Sequence, residues 1–226
     1  MHSKDNLLVP AGIQLDQYQT LETQPDYGLY QRVTYGKAQT FKAGITGTLY
    51  KVILKLCLID TEPSTAESLI VEIRTVDGEN KPTSTVLATK NVLINEVTSE
   101  FAEIDIIFSP APEIVAGTTY AIVLRTASGN IEGVDWRFRC TDADVYPYGA
   151  QYGSDDNITW APVFLHPNDE IYFKTYVSIL ESLLIENGIL KRDLTCDSGV
   201  SIILRSTTKR WRLLVDESGN LTTQQV

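Results

Sequence analysis

The residue types that could do chemistry here are few. A Ser-His-Asp site would have to use His166, which precedes Pro167, because the other histidine, His2, lies in a polar N-terminal stretch. No G-x-S-x-G nucleophile elbow accompanies it. Asp155 and Asp156 are adjacent in a loop-like stretch, where paired carboxylates usually just face water. No catalytic residue is therefore expected, and the chain reads as a non-enzyme. Hard oxygens are more plentiful: Asp142 and Asp144 in TDAD, Asp155, Asp156 and Asn157 in SDDN, and Asn168, Asp169 and Glu170 in NDE. Calcium accepts about six to eight such ligands, backbone carbonyls included, so a structural calcium on Asp142, Asp144, Asp155, Asp156 and Asp169 is one reading. The plainer one is a set of solvated Asx turns, since no EF-hand spacing is present. No other cofactor is expected.

Aromatics crowd the same region. Trp136, Tyr146, Tyr148, Tyr152 and Trp160 fall in a Gly-, Asp- and Asn-rich stretch, and flat rings beside carboxylates suit a sugar or a receptor. The two tryptophans read more readily as core, because large aromatics are usually buried. Tyr146, Tyr148 and Tyr152 are then the better contact candidates, with Pro147 and Gly149 fixing the backbone around them. Near the end, Arg210, Trp211, Arg212 and Leu214 combine residue types enriched at protein interfaces, against the alternative of a small satellite core.

The elements that must position these residues are strands. The stretch AQTFKAGITGTLYKVILKLCL, 38–58, reads as two strands joined by the Gly-containing turn Gly44-Ile45-Thr46-Gly47. Val52, Leu54, Leu56 and Leu58 share an apolar face and Lys51, Ile53 and Lys55 a mixed one, as a sheet wet on one side requires. SLIVEIRTV (68–76) alternates with Leu69, Val71 and Ile73 on one side, and Asp77 to Pro82 is a turn. EFAEIDIIF (100–108) is a strand with Phe101, Ile104, Ile106 and Phe108 as its apolar side, ended by Ser109-Pro110-Ala111-Pro112. YAIVLR (120–125) is apolar enough to be central, and IYFKTYV (171–177) closes the domain. Many short strands with turn chemistry between them predict an all-β, two-sheet antiparallel sandwich, and the length favours a jelly roll.

Residues 1–15 read as an N-terminal arm broken by Pro10 and Gly12, and 178–226 as a small β appendage, leaving 16–177 as the sandwich. Within 178–190, Leu180, Leu183, Asn187 and Leu190 fit a short coiled-coil seam, whereas Asn187-Gly188 fits a hairpin turn; two heptads are too few to stand alone, which favours the hairpin. Further strands are expected at 200–205, 211–215 and 221–226. A piece this small cannot bury enough area by itself and should pack on the main domain or on copies of itself.

A net charge of −10 and a pI near 4.7 argue against nucleic acid and anionic membrane surfaces as partners. An odd set of three cysteines, Cys57, Cys140 and Cys196, is not a disulfide framework. Neither a signal-peptide core nor a transmembrane-length apolar run is visible, so the chain is expected to be made and kept in a cytosol, or to leave it by a route other than ordinary secretion.

Several segments resemble a known family: Asp16-Gln17, Ala38 to Gly44, Gly47 to Val52, Val71 to Arg74, Gly117 to Leu124, Thr159-Trp160 and Phe173 to Tyr176. Their order over roughly 16–177 is similar to the choice-of-anchor type jelly-roll β-sandwich of bacterial and archaeal surface proteins and tailed-phage virion proteins. ILRSTTKRWRLLVDESGNL, 203–221, resembles a segment that recurs at the ends of phage tail and other virion structural proteins, departing from it by lacking Pro or Gly at Thr207-Thr208-Lys209. The resemblance implies a structural protein of a tailed-phage virion (tail, fibre or capsid decoration), assembled in host cytoplasm. Its implied partners are other virion proteins and copies of itself, as a trimer by the habit of such proteins, with host-surface glycan as a further contact. The alternative is a cellular surface carbohydrate-binding or adhesive module.

Overall fold

The computed structural model describes residues 5–23, 27–28, 36–60, 68–126, 134–163, 169–186, 189–190, 202–205, 210–215 and 221–225. The strands are β1 (Asp5–Gln19), β2 (Tyr27–Gly28), β3 (Gly36–Lys42), β4 (Gly47–Asp60), β5 (Leu69–Val76), β6 (Pro82–Val92), β7 (Ala102–Ile107), β8 (Glu113–Ile114), β9 (Thr119–Thr126) and β10 (Val134–Phe138). There follow β11 (Cys140–Thr141), β12 (Gln151–Ser154), β13 (Ala161–Pro162), β14 (Glu170–Ile171), β15 (Phe173–Glu186), β16 (Ile189–Leu190), β17 (Ile202–Arg205), β18 (Arg210–Val215) and β19 (Leu221–Gln225). A single 3-10 turn, Ile94–Glu96, is the only helical element among the described residues. Two compact units result, Ile13–Ile179 and a second made of Met1–Gly12 with Leu180–Val226.

The larger unit is an all-β antiparallel sandwich. One sheet runs β1-β15-β4-β10-β2, with β7 and β8 pairing along the opposite edge of β4. The other runs β13-β12-β3-β9-β5-β6. The turn over 43–46 passes the chain between the sheets, so β3 and β4 are consecutive without pairing. The alternation along β4 explains the layer: Val52, Leu54, Leu56 and Leu58 enter one core cluster with Ile106, Trp136, Phe138, Phe173 and Val177. Phe41, Val71, Ile73, Ile122 and Leu124 close it from the other sheet. Each such side chain contributes on the order of 1.5–3 kcal/mol by leaving water. β9 is central, flanked by β3 and β5.

Local structure refines the expectations. In the turn after β5 the left-handed residue is Asn80, at φ 60; the Asp77 carboxylate accepts the Glu79 and Lys81 N–H groups and fixes the turn. Phe101 does not join the Ile104, Ile106 and Phe108 side; its ring lies 4.0 Å under the Arg139 guanidinium. Residues 5–12 are strand rather than an irregular arm, since β1 is an edge strand where Pro10 removes no ladder donor that a second neighbour needs.

In the smaller unit β15 turns back into β16 with Ile185 opposite Leu190 and Glu186 opposite Ile189. That register is a hairpin, and excludes the coiled-coil seam. β17, β18 and β19 form a three-stranded antiparallel sheet.

Candidate functional site

The segment from Cys140 to Trp160 carries most of the expected contact residues, and the fold turns nearly all of them inward. Trp136 lies in the core between the sheets. The Tyr146 ring stands edge-on to Phe173 at 5.3 Å, and its hydroxyl accepts the Lys42 N–H at 3.2 Å and donates to Gln17 Oε1 at 2.9 Å. Burial pushes that hydroxyl up to about 12, so it stays protonated. Tyr152 and Trp160 join Ala38, Ala121 and Val123 in a second apolar cluster on the outer face of the six-stranded sheet. The Tyr152 hydroxyl donates to the Glu79 carbonyl, while the buried Trp160 Nε1 has no hydrogen-bond partner among the described residues. Of the expected contact aromatics, Tyr148 alone is presented to solvent, at 60% exposure.

The reason is a close approach. A Cβ at Gly149 would meet the Thr40 carbonyl oxygen at 1.9 Å, so only glycine lets this loop press against β3. The Thr40 N–H donates to the Ala150 carbonyl, and the Ala150 N–H to Thr40 Oγ1 at 2.9 Å. With the backbone pinned there, Tyr146 points in and Tyr148 out.

Glu170 holds the other side of the loop. Its carboxylate is 2% exposed and accepts the Tyr146 N–H at 2.9 Å and the Val145 N–H at 3.3 Å. Burial pushes its carboxyl up to about 7; the two N–H bonds pull the other way and the Asp144 charge adds to the rise. The remaining carboxylates do not converge. Asp142 accepts the Thr23 hydroxyl at 2.5 Å, Asp144 and Asp155 face solvent, and Asp169 is buried. Asp156 accepts the Ile158 and Thr159 N–H groups at 2.8 and 2.6 Å together with the Ser154 and Thr159 hydroxyls. These bonds hold its carboxyl well below the usual range and use it as the clasp of a turn. Among the described residues no group of three or more His, Cys, Asp or Glu side chains gathers as a metal site. His166 and Asn168 lie outside the described residues.

Burial raises the Cys140 thiol to about 12, which leaves no thiolate for nucleophilic work. Cys57 is also buried, and Cys196 lies outside the described residues.

Two polar constellations went unread in the sequence. On the outer face of the six-stranded sheet Glu72, 2% exposed, is gripped by Arg74 at 2.6 Å and Arg125 at 2.5 Å. Burial alone would raise its carboxyl, but the bonds from Arg125 and Arg74 outweigh it and hold the pKa below the ordinary value. Arg74 also donates to the Asn157 carbonyl at 3.1 Å and lies 5.9 Å from the Trp160 ring, so the 154–160 turn roofs the ion pair. The signal was Glu and Arg two residues apart in an otherwise apolar strand, which puts both on one face. On the outer face of the eight-stranded sheet, Lys51 pairs with Asp105 and Lys174 with Glu103, both at 2.7 Å. Lys51 stands 5.0 Å over Tyr176, and Lys55 and Lys174 flank Tyr172.

The expected assembly residues are divided by register. Arg205 opposite Arg210 and Ile203 opposite Arg212 place Arg205, Arg210, Arg212 and Leu214 on one face of the C-terminal sheet. Leu204 opposite Trp211 and Ile202 opposite Leu213 place Trp211 on the other, with Val215 opposite Leu221. Compared with protein-family models and with curated proteins, the chain matches none.

Proposed function

We propose that the chain is a non-enzymatic structural protein of a tailed-phage virion. In this reading the sandwich is a displayed jelly-roll module, and the C-terminal sheet joins it to copies of itself and to other virion proteins. The observation that carries the reading is the fold of 202–225. The segment resembling virion C-termini forms a three-stranded antiparallel sheet of its own, with Arg210-Trp211-Arg212-Leu213 opening its middle strand, in a compact unit other than the sandwich. A sheet of three strands is marginal alone, so association is the physical expectation. The segments that resemble the choice-of-anchor family fall on β1, β3, β4, β5, β9 and β15, with Thr159-Trp160 in the roof beside β13. Light scattering on the full chain and on a chain ending at Ile179 tests the reading. A trimer or other closed assembly that becomes monomeric on truncation supports it; a full-length monomer at every concentration removes the assembly role.

A carbohydrate-binding surface module is the second reading, favoured by the exposed Tyr148 and the exposed Asp142 and Asp144 earlier in the same stretch. Glycan-array binding lost in Tyr148→Ala, with unchanged melting, would favour it over the first.

A further inference from the structure

We infer that copies of the chain pack together through one exposed apolar strip of the sandwich, made by residues 13–23 and the loop 141–148, the strip of one copy lying against the strip of another. The inference rests on the self-assembly reading above and adds a contact on the sandwich to the one assigned to the C-terminal sheet.

Segment 13–23 is polar toward the protein and apolar toward solvent. The Asp16 carboxylate accepts the Gly44 N–H at 3.0 Å, and the Gln17 N–H donates to Thr175 Oγ1 at 2.9 Å. Gln19 Nε2 donates to the Glu170 carbonyl at 3.1 Å, and Glu22 pairs with Lys55 at 2.5 Å. Its apolar side chains, Ile13, Leu15, Tyr18 and Leu21, are exposed and join neither core cluster. The loop 141–148 runs alongside. Tyr146 donates its hydroxyl to Gln17 Oε1 at 2.9 Å, and the Thr23 hydroxyl donates to Asp142 at 2.5 Å. Between these ties, Glu170 takes the Val145 and Tyr146 N–H groups on its carboxylate and Gln19 on its carbonyl. The exposed apolar residues of the loop are Val145 and Tyr148, whose ring stands edge-on to Tyr146 at 6.0 Å. The two segments therefore hold six of the twelve exposed large apolar side chains among the described residues, each between 46% and 60% exposed.

Area and charge say what covers them. Large side chains carry about 150–250 Å² each, so six of them half-exposed present on the order of 600 Å², the upper end of what a monomer leaves open. A standard interface buries about 800 Å² per partner, so the strip is too small to hold two copies by itself. It closes between copies that the C-terminal sheet has already gathered, where the effective concentration is high. A like copy fits because the acidic groups of 13–23 are used within the protein. Asp16 holds the Gly44 N–H, and Glu22 is held by Lys55 and Arg139. A cationic partner would need those carboxylates free, whereas copies that each carry a net charge of −10 repel unless they meet on a neutral surface. The exposed Asp144 of the loop adds a like-charge cost that salt screens.

Tyrosine nitration of the full chain by tetranitromethane, read by mass spectrometry beside light scattering, tests this. In dilute, monomeric solution Tyr18, Tyr50 and Tyr148, all exposed, should each be nitrated. In concentrated, assembled solution nitration of Tyr18 and Tyr148 should fall several-fold while that of Tyr50, outside the strip, is unchanged. The double variant Leu15→Glu, Tyr148→Glu, with a circular dichroism melt reporting that it folds, should associate roughly tenfold or more weakly than wild type. Val86→Glu, at an exposed position of the edge strand β6 outside the strip, should associate as wild type does. An assembled chain in which Tyr18 and Tyr148 are nitrated as fast as in the monomer would overturn the inference while leaving self-assembly standing. Equal weakening by Val86→Glu would do the same, because the association would then follow exposed apolar surface in general. A full-length chain monomeric at every concentration would overturn both the inference and the self-assembly reading.

Discussion

Glu170 and Glu72 are both 2% exposed, yet they are buried on opposite terms. Glu72 has two guanidiniums, and Glu170 has backbone N–H groups, with the Asp144 charge adding to the rise in its pKa. For Glu170 the folded pKa of about 7 lies above the ordinary carboxylate value, so the folded state holds the proton more tightly than the unfolded chain. Its contribution is therefore present at low pH and lost as pH rises from about 4.5 to about 7, by at most about 3 kcal/mol. Glu170→Gln, which keeps an acceptor for one N–H, should flatten that part of the stability profile and melt higher than wild type at pH 8, measured by calorimetry across pH. Glu72 has the reverse sign. Its carboxyl is held below the ordinary value, so its contribution is present above that value and lost as acid protonates it in the fold. Glu72→Ala leaves Arg74 buried without its carboxylate and should cost about 3–5 kcal/mol in denaturant unfolding. An unchanged midpoint would show that the arginines find other partners.

Elements in this protein are placed by a few close approaches. Gly149→Ala would set a Cβ 1.9 Å from the Thr40 carbonyl, a backbone atom that cannot swing away. It should cost about 1–3 kcal/mol and lift the Tyr148 loop from β3, seen as faster hydrogen exchange at Ala150 than in wild type. The roof over Glu72 depends on Asp156, whose carboxylate takes four bonds from Ser154, Ile158 and Thr159. Asp156→Ala should leave the sandwich folded but open the 154–160 turn to limited proteolysis near exposed Ile158. Cleavage no faster than in wild type would mean that Trp160 packing alone holds the roof. Strand alternation had already made β4 and β5 legible, because a period of two in Val, Leu and Ile leaves little choice of face. It could not tell which sheet each strand would join.

At the scale of the molecule, the sandwich owes its cohesion to one apolar layer, and its two outer faces are dressed differently. One carries a buried ion pair beneath a loop; the other carries exposed Lys–carboxylate pairs over tyrosines. The exposed pairs contribute roughly 0–1 kcal/mol each, so salt should hardly change the melting of a chain ending at Ile179. Truncating Leu54 to Ala, in contrast, should cost about 2–5 kcal/mol through the cavity it leaves. A melt of the truncated chain that fell steeply with salt would contradict this division of labour.

The amino-acid sequence by itself determined the all-β class, the apolar face of β4 and the central place of β9, because each follows from local periodicity or turn chemistry. It left a coiled-coil seam and a hairpin both open over 178–190. Only the tertiary structure decided which residues of the Asp- and aromatic-rich stretch reach solvent. Tyr146, Tyr148 and Tyr152 look alike in a loop. One has its hydroxyl captured by Gln17 and Lys42, one packs over Ala38, and the third alone is left outside. The carboxylates parted in the same way: Asp156 closes its own turn, while Glu170 reaches a loop 24 residues away. Those partners come from strands distant in sequence, and side-chain fate in a loop is set by what the fold brings opposite it.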